Sequence, residues 1–367
     1  MGIHWYILSA IVVIIIQQFV FRRFGMKKLT YERRFSVSHC FEGERIEMIE
    51  RLTNSKSLPV PWLRVESLLH TGLKFERNAN FDVSSGQFYQ NHKSLFSLMG
   101  NKQLTRRHSV QCVQRGFYRL SSASLSYGDL FGMFSSHVKL PLKEELVVYP
   151  QPVDYSELNF PSRSFQGDIA VRRWIVEDPF TISGVRDYHS GDSLKTINWN
   201  ATARAGKLQV HRRDFTADYR LMILLNVEDH AEMWDVVKDT ELIEQGIRMA
   251  AALVQYATEQ GLETGFAANG HEIDVPGMPM TVERSSGNEH LLHILEQMAK
   301  LVIVREVPFD ALLHQLTERW QDEDSYDVVI VSAFMSEKIE LAIDKMRSGG
   351  HSVDWMPINL VRVGDSA

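Results

Sequence analysis

Between Gly184 and Val210 the chain concentrates side chains that fit poorly in a core: Arg186, Asp187, Tyr188, Asp192, Asn198, Trp199 and Arg204. Two guanidiniums and two carboxylates in one run of weak hydrophobic periodicity admit three kinds of chemistry. Arginine's planar fork matches a carboxylate at two points, so Arg186 and Arg204 can lock onto Asp187 and Asp192, with Trp199 as the apolar anchor. The same arginines can hold a phosphate or a partner's carboxylate. Convergence of Asp187, Asp192, Asn198 and Arg204 on one pocket would instead give a hydrolytic site. We expect a structural clasp whose outer surface, around Arg186, Asp192, Trp199 and Arg204, is recognised by a partner.

Other catalytic signatures are incomplete. Ala205-Gly206-Lys207 resembles the end of a phosphate loop, but the leading glycine is missing and Leu208 stands where a magnesium-holding hydroxyl belongs. His271-Glu272 lacks the second histidine of a zinc-protease helix, and neither a G-x-S-x-G elbow nor a Cys-x-x-Cys pair occurs. Nucleophilic and redox chemistry therefore have no local anchor, and no cofactor is expected.

The order Arg186-x-Tyr188, Gly191-Asp192, Ile197-Asn198-Trp199, Thr202-Ala203-Arg204 and Leu208-x-Val210 resembles the signature of the bacterial domain of unknown function 58 family. Arg115 to Phe134, R-G-F-Y-R-L-S-S-A-S-L-S-Y-G-D-L-F-G-M-F, is similar to a second family segment, with Leu130 where proline is usual. The resemblance implies proteins encoded beside MoxR-type AAA+ ATPases, and hence an adaptor or client of such an ATPase.

These segments need a scaffold, and at 367 residues the chain is long enough for two folded domains plus an appendage. A net charge of -6 argues against a whole-chain nucleic-acid binder. Within Pro161–Arg213 Lys/Arg nevertheless outnumber Asp/Glu nine to five, a basic island suited to a solvated face or to anionic lipid. Two cysteines, Cys40 and Cys112, are too few for a disulfide framework and fit a reducing compartment.

Trp5 to Phe21 is uncharged and is followed at once by Arg22, Arg23, Lys27 and Lys28. A secretory signal places its positive charge before the apolar run, so this order predicts a single-pass transmembrane helix. Positive-inside topology then puts the body of the protein on the cytoplasmic side of the cell membrane.

From residue 29 to 150 short alternating runs broken by turn residues predict an antiparallel β-sandwich. Residues 151–220 read as a connector carrying the signature. Residues 221–367 alternate apolar strands with amphipathic helices, which predicts an open, mostly parallel α/β sheet. The expected fold is thus α+β multidomain, with residues 1–28 as anchor. The order of elements in the last part resembles a von Willebrand factor A-type domain, whose metal site takes Asp-x-Ser-x-Ser and a later Asp. Here those positions carry Asn226, Glu228, His230 and Ala333, so a metal-free scaffold is expected. The favoured function is a membrane-anchored, non-enzymatic interaction or assembly protein; a hydrolase, or an anion- or phosphate-binding protein using Arg186, Asp192 and Arg204, is the alternative. No nucleic acid is expected as partner, and the sequence fixes no oligomeric state.

Overall fold

A computed structural model describes residues 3–75, 81–85, 89–154, 177–188, 197–215, 220–233, 236–320 and 325–358, with side chains at 81–85, 177–187 and 211–215 outside the description. Two compact units emerge, residues 1–151 with 295–301, and residues 152–294 with 302–367.

The first unit opens with α1 (Ile3–Phe24), 22 residues that overshoot the apolar run at both ends. At about 1.5 Å per residue such a helix is about 33 Å long, close to a bilayer's hydrocarbon thickness. It is long and apolar enough to cross a membrane, a test that a signal sequence near an amino terminus also passes. The helix stops against the sandwich at Gly25, whose N–H donates to the Phe21 carbonyl at 2.8 Å. A Cβ on Gly25 would lie 2.3 Å from the Tyr127 ring. Lys56 Nζ donates to the carbonyls of Phe24 and Gly25, fixing the same joint.

Ten strands follow: β1 (Leu29–Phe35), β2 (His39–Phe41), β3 (Arg45–Asn54), β4 (Val60–His70), β5 (Leu73–Phe75), β6 (Phe81–Ser85), β7 (Tyr89–Leu98), β8 (Lys102–Cys112), β9 (Gly116–Gly128) and β10 (Ser135–Tyr149). They form two sheets, β1-β3-β8-β5 and β2-β10-β9-β4-β7-β6. Pairing is antiparallel except where β2 joins β10. Inward positions of both sheets, such as Met48, Leu73 and Val110 with Leu69, Leu120 and Leu146, share one core. That shared core is the expected sandwich. Cys40 and Cys112 meet inside it as free thiols, their sulfurs 3.3 Å apart.

The sandwich also buries charge. Period-two alternation along β3 turns Ile46, Met48, Glu50 and Leu52 inward together, so the carboxylate enters the core with its apolar neighbours. Glu50 accepts from Tyr31 at 2.7 Å, Ser94 at 3.1 Å and His108 at 2.9 Å, and pairs with Arg33. Arg33 also donates to Ser67. Burial opposes ionisation of Glu50, but the His108 hydrogen bond and the Arg33 charge overcome it and hold the carboxyl far below its usual range. His92, fully buried against the Phe75 ring, is pushed down to about 3 by burial and by Arg33.

The second unit contains β11 (Glu177–Asp187), α2 (Trp199–Ala205), β12 (Gln209–Phe215), β13 (Arg220–Leu225), α3 (Thr240–Glu259), β14 (Glu263–Ala268), β15 (His271–Glu272), β16 (Met280–Ser285), α5 (Phe309–Arg319), β18 (Asp327–Ser332), α6 (Glu337–Ser348) and β19 (Ser352–Pro357), while α4 (Asn288–Lys300) and β17 (Leu301–Val302) straddle the division. The main sheet runs β16-β14-β13-β18-β19. Four strands are parallel, and β16 is an antiparallel edge that the pattern of apolar runs does not announce. The helices form for local reasons. Asp239 accepts from Leu242 N–H at 3.0 Å to start α3, and Ser336 caps α6 in the same way. Gly261, at φ 74°, ends the α3 region in a left-handed conformation that suits glycine. The α5 and α6 apolar faces share one core with Met222, Leu224, Val328 and Ile330.

Candidate functional site

Two places hold the residues singled out above. The first is the signature, which is not a plain connector. β11 and β12 pair antiparallel, setting Arg186 opposite Val210 and Asp187 opposite Gln209. Tyr188 continues the ladder through its N–H to the Leu208 carbonyl at 2.9 Å. The chain returns at Ile197, which bridges to Val210, and then makes the short helix α2. Asn198 is its N-cap, its Oδ1 accepting from Ala201 N–H at 3.0 Å, while its own N–H donates to Gln209. Gly206 ends the helix at φ 67°, and Thr202 Oγ1 accepts from Gln209 N–H at 3.0 Å. Helix and hairpin are therefore stitched together by the side chains of the signature itself.

The apolar anchor of this clasp is Ile197 with Val210, both buried. Trp199, expected in that role, is instead 66% exposed as the first residue of α2. Arg204 is exposed in the last turn of α2 and makes no ion pair with a described side chain. The side chains of Arg186 and Asp187, and the whole of Asp192, lie outside the described residues. Beside α2 lies an open hollow of about 460 Å³ lined by Asn198, Asn200, Ala201, Arg204, Ala205 and Gln209. Its polar lining consists of amides and a guanidinium, groups that bind anions better than they perform proton transfer.

The second place is the carboxyl end of the parallel sheet, where open α/β folds bind ligands. Asn226 follows β13 and is fully buried. Its Nδ2 donates to Ser332 Oγ at 3.1 Å, and its Oδ1 accepts from Glu228 N–H at 3.0 Å. Asn269, just past β14, accepts from Val227 N–H at 2.8 Å and donates to Glu228 Oε1 at 3.2 Å. Glu228 Oε1 also accepts from Phe309 N–H at 3.0 Å, capping α5, whose preceding residue Pro308 supplies no side-chain cap. Ser332 Oγ donates onward to the Phe334 carbonyl at 2.7 Å. Burial raises the Glu228 carboxyl above its usual range, against the Phe309 N–H and the charge of Arg305.

These residues do not fit the divalent cation that the A-type resemblance implies. A hard cation needs several free oxygens, yet the Asn226 oxygen is taken by backbone and Glu228 Oε1 is shared between a helix N-terminus and an amide. Among the described residues no group of three or more His, Cys, Asp or Glu is placed to hold a metal. Asp229 faces elsewhere: burial works against its charge, but N–H groups of Asp239 and Lys238 and the His230 ring hold it below the usual range. Ala333, half-buried, offers no side-chain ligand. Asn269 and Ser332 complete the network. Asn269 follows E-T-G-F-A-A directly, so its place at a strand's carboxyl end was readable.

Comparison with known proteins adds a family. A curated relative, the uncharacterized protein YeaD of Bacillus subtilis (strain 168), is 18% identical over 299 residues, 81% of this chain and 68% of that protein. Among solved structures, a non-cellulosomal cohesin from Archaeoglobus fulgidus is 13% identical and covers 32% of this chain and 91% of its own, at a TM-score of 0.24. A CARDB domain from Pyrococcus furiosus is 16% identical and covers 33% and 91%, at a TM-score of 0.20. TM-scores this low carry no argument about binding. The family model described as "Protein of unknown function DUF58" matches residues 184–366, from the signature strand onward, so this part of the chain is a domain of that family.

Proposed function

We propose that this chain is a membrane-anchored, non-enzymatic interaction protein that works as an adaptor or client of a MoxR-type AAA+ ATPase. One observation carries the reading: at the strand ends where an α/β sheet offers a ligand site, Asn226, Glu228, Asn269 and Ser332 spend their hydrogen bonds on one another and on α5. Buried strand ends bonded to one another in this way support recognition of a protein partner rather than turnover of a small ligand. The apolar α1 with its following Arg22, Arg23, Lys27 and Lys28 supports a single-pass anchor with the body on the cytoplasmic side. In this reading residues 1–28 are the anchor, 29–150 a membrane-proximal spacer, 151–220 the signature clasp, and 221–367 a degenerate von Willebrand factor A-like recognition head.

Crosslinking in intact membranes, with and without ATP, followed by identification of bound proteins tests this. Recovery of an AAA+ ATPase through crosslinkers placed on residues 221–358 is expected; repeated recovery of none counts against it. The second reading, an anion site beside Arg204, rests on the amide-lined hollow at α2. It is checked by titrating inorganic phosphate against wild type and Arg204→Ala, and it survives only if the variant loses binding.

A further inference from the structure

The tip between β9 and β10 reads D-L-F-G-M-F, and it is built to hold apolar side chains outward. Asp129 is fully buried. Its Oδ1 accepts from Phe134 N–H at 3.2 Å, and the Asp129 N–H donates to the Phe134 carbonyl at 3.2 Å, closing the loop. Trp62 Nε1 donates to the Asp129 carbonyl at 3.2 Å, and Gly132, at φ 71°, makes the reversal. The loop is thus fixed from behind. In front, Leu130, Phe131 and Met133 are 63%, 64% and 62% exposed. Three large apolar residues held in water at one hairpin tip call for a partner.

The tip's position against α1 identifies that partner. Gln17 and Gln18 are adjacent amides that interrupt the apolar helix near its carboxyl end. Gln17 Nε2 donates to Asp129 Oδ2 at 2.6 Å, and Gln18 Nε2 donates to the Met133 carbonyl at 3.4 Å. The interruptions are therefore where the sandwich touches its helix. Gln17 precedes Arg22 by five residues, about 7.5 Å along the axis at about 1.5 Å per residue. With Arg22 and Arg23 at the headgroups, the tip lies on the hydrocarbon side of them, at the depth where interfacial apolar groups sit.

We propose that the Leu130–Met133 tip is a second membrane contact, an apolar hairpin end that enters the lipid interface beside α1 and sets the sandwich against the bilayer. This rests on the anchor reading of α1. It also accounts for the two glutamines, which satisfy Asp129 and the tip backbone where water is scarce.

The full chain is reconstituted into vesicles of phosphatidylethanolamine and phosphatidylglycerol, with an environment-sensitive fluorophore on single introduced cysteines. Phe131→Cys and Met133→Cys report on the tip, Ile11→Cys on α1, and Tyr89→Cys on the far end of the sandwich. Wild type, whose thiols are buried, is the labelling blank. Doxyl-labelled lipids should quench most of the emission at positions 131, 133 and 11, while aqueous iodide quenches position 89. If lipid quenches position 11 but iodide alone quenches 131 and 133, the tip proposal is overturned and the anchor stands. If lipid quenches neither 11 nor the tip, the anchor reading fails and takes the proposal with it. Shielding of the tip from both quenchers assigns it to a protein contact and equally overturns it.

Discussion

The two units each bury a network of polar groups around one glutamate, and they do so in opposite ways. In the sandwich Glu50 sits midway along strands, between the sheets, and is matched by a full positive charge on Arg33. In the α/β unit Glu228 sits past a strand end and is matched by amides and a helix N-terminus. The pKa directions follow: Glu50 is held down by the His108 hydrogen bond and the Arg33 charge, and Glu228 is lifted by burial. The contrast shows that a buried acid's environment, rather than its burial, decides whether the fold favours its charge. It also separates two kinds of tie, since the Glu50 network joins strands of both sheets, whereas the Glu228 network joins the ends of β13, β14 and β18 to the start of α5.

The sharpest test breaks the first network. Arg33→Met leaves the Glu50 charge stranded and should cost about 3–5 kcal/mol of stability in denaturant unfolding, with most of it recovered when Glu50→Leu is added. No recovery would mean that the network's geometry, not its charge balance, holds the sheets. Acid comes next. His92 stays neutral in the fold down to about 3, while an unfolded histidine protonates near about 6.5. The unfolded chain then binds the extra proton, so sandwich stability should fall as pH drops through that window, by up to about 1.4 kcal/mol per pH unit. Hydrogen exchange in β7 of wild type and His92→Leu should show the slope and its loss. Glu50 adds to this sensitivity, because its contribution is present above the unfolded carboxyl value and drains as pH falls toward its lowered one.

The second network should respond more mildly and with the opposite sign. Glu228→Ala removes the acceptor for Phe309 N–H and Asn269, an expected loss of about 1–3 kcal/mol. Glu228→Gln keeps an acceptor at that place and removes the charge. Because the folded carboxyl is raised, wild type loses stability as pH rises above the unfolded value, so the Gln variant should gain relative to wild type toward neutral pH. A flat difference would sink the burial account of Glu228. The smallest effects belong to the signature: Asn198→Ala should cost about 1 kcal/mol through the lost α2 cap. Arg204→Ala, exposed and unpaired with described side chains, should stay within about 0.5 kcal/mol.

The second unit was legible in the sequence because its strands are buried on both faces and its helices carry strong stop signals. Glu263–Ala268 was readable residue for residue, whereas β16 was not, because its alternation rests on only two buried apolar residues, Met280 and Val282. The sandwich was legible as alternation, but the inward turn of Glu50 was hidden, since I-E-M-I-E-R-L looks irregular until the register is fixed. In the signature, residue type overstated chemistry. Asn198, Thr202 and Gly206 serve the backbone, and only hydrogen-bond partners distinguish a cap from a ligand.

The joint at Gly25 has a mechanical meaning. With no room for a Cβ between Tyr127 and the Phe21 carbonyl, and with Lys56 clamped onto the last carbonyls, α1 leaves the sandwich as a mast rather than a tether. Such a joint is expected to carry a pull or twist on one end to the other. Whatever tilts the helix tilts the sandwich with it.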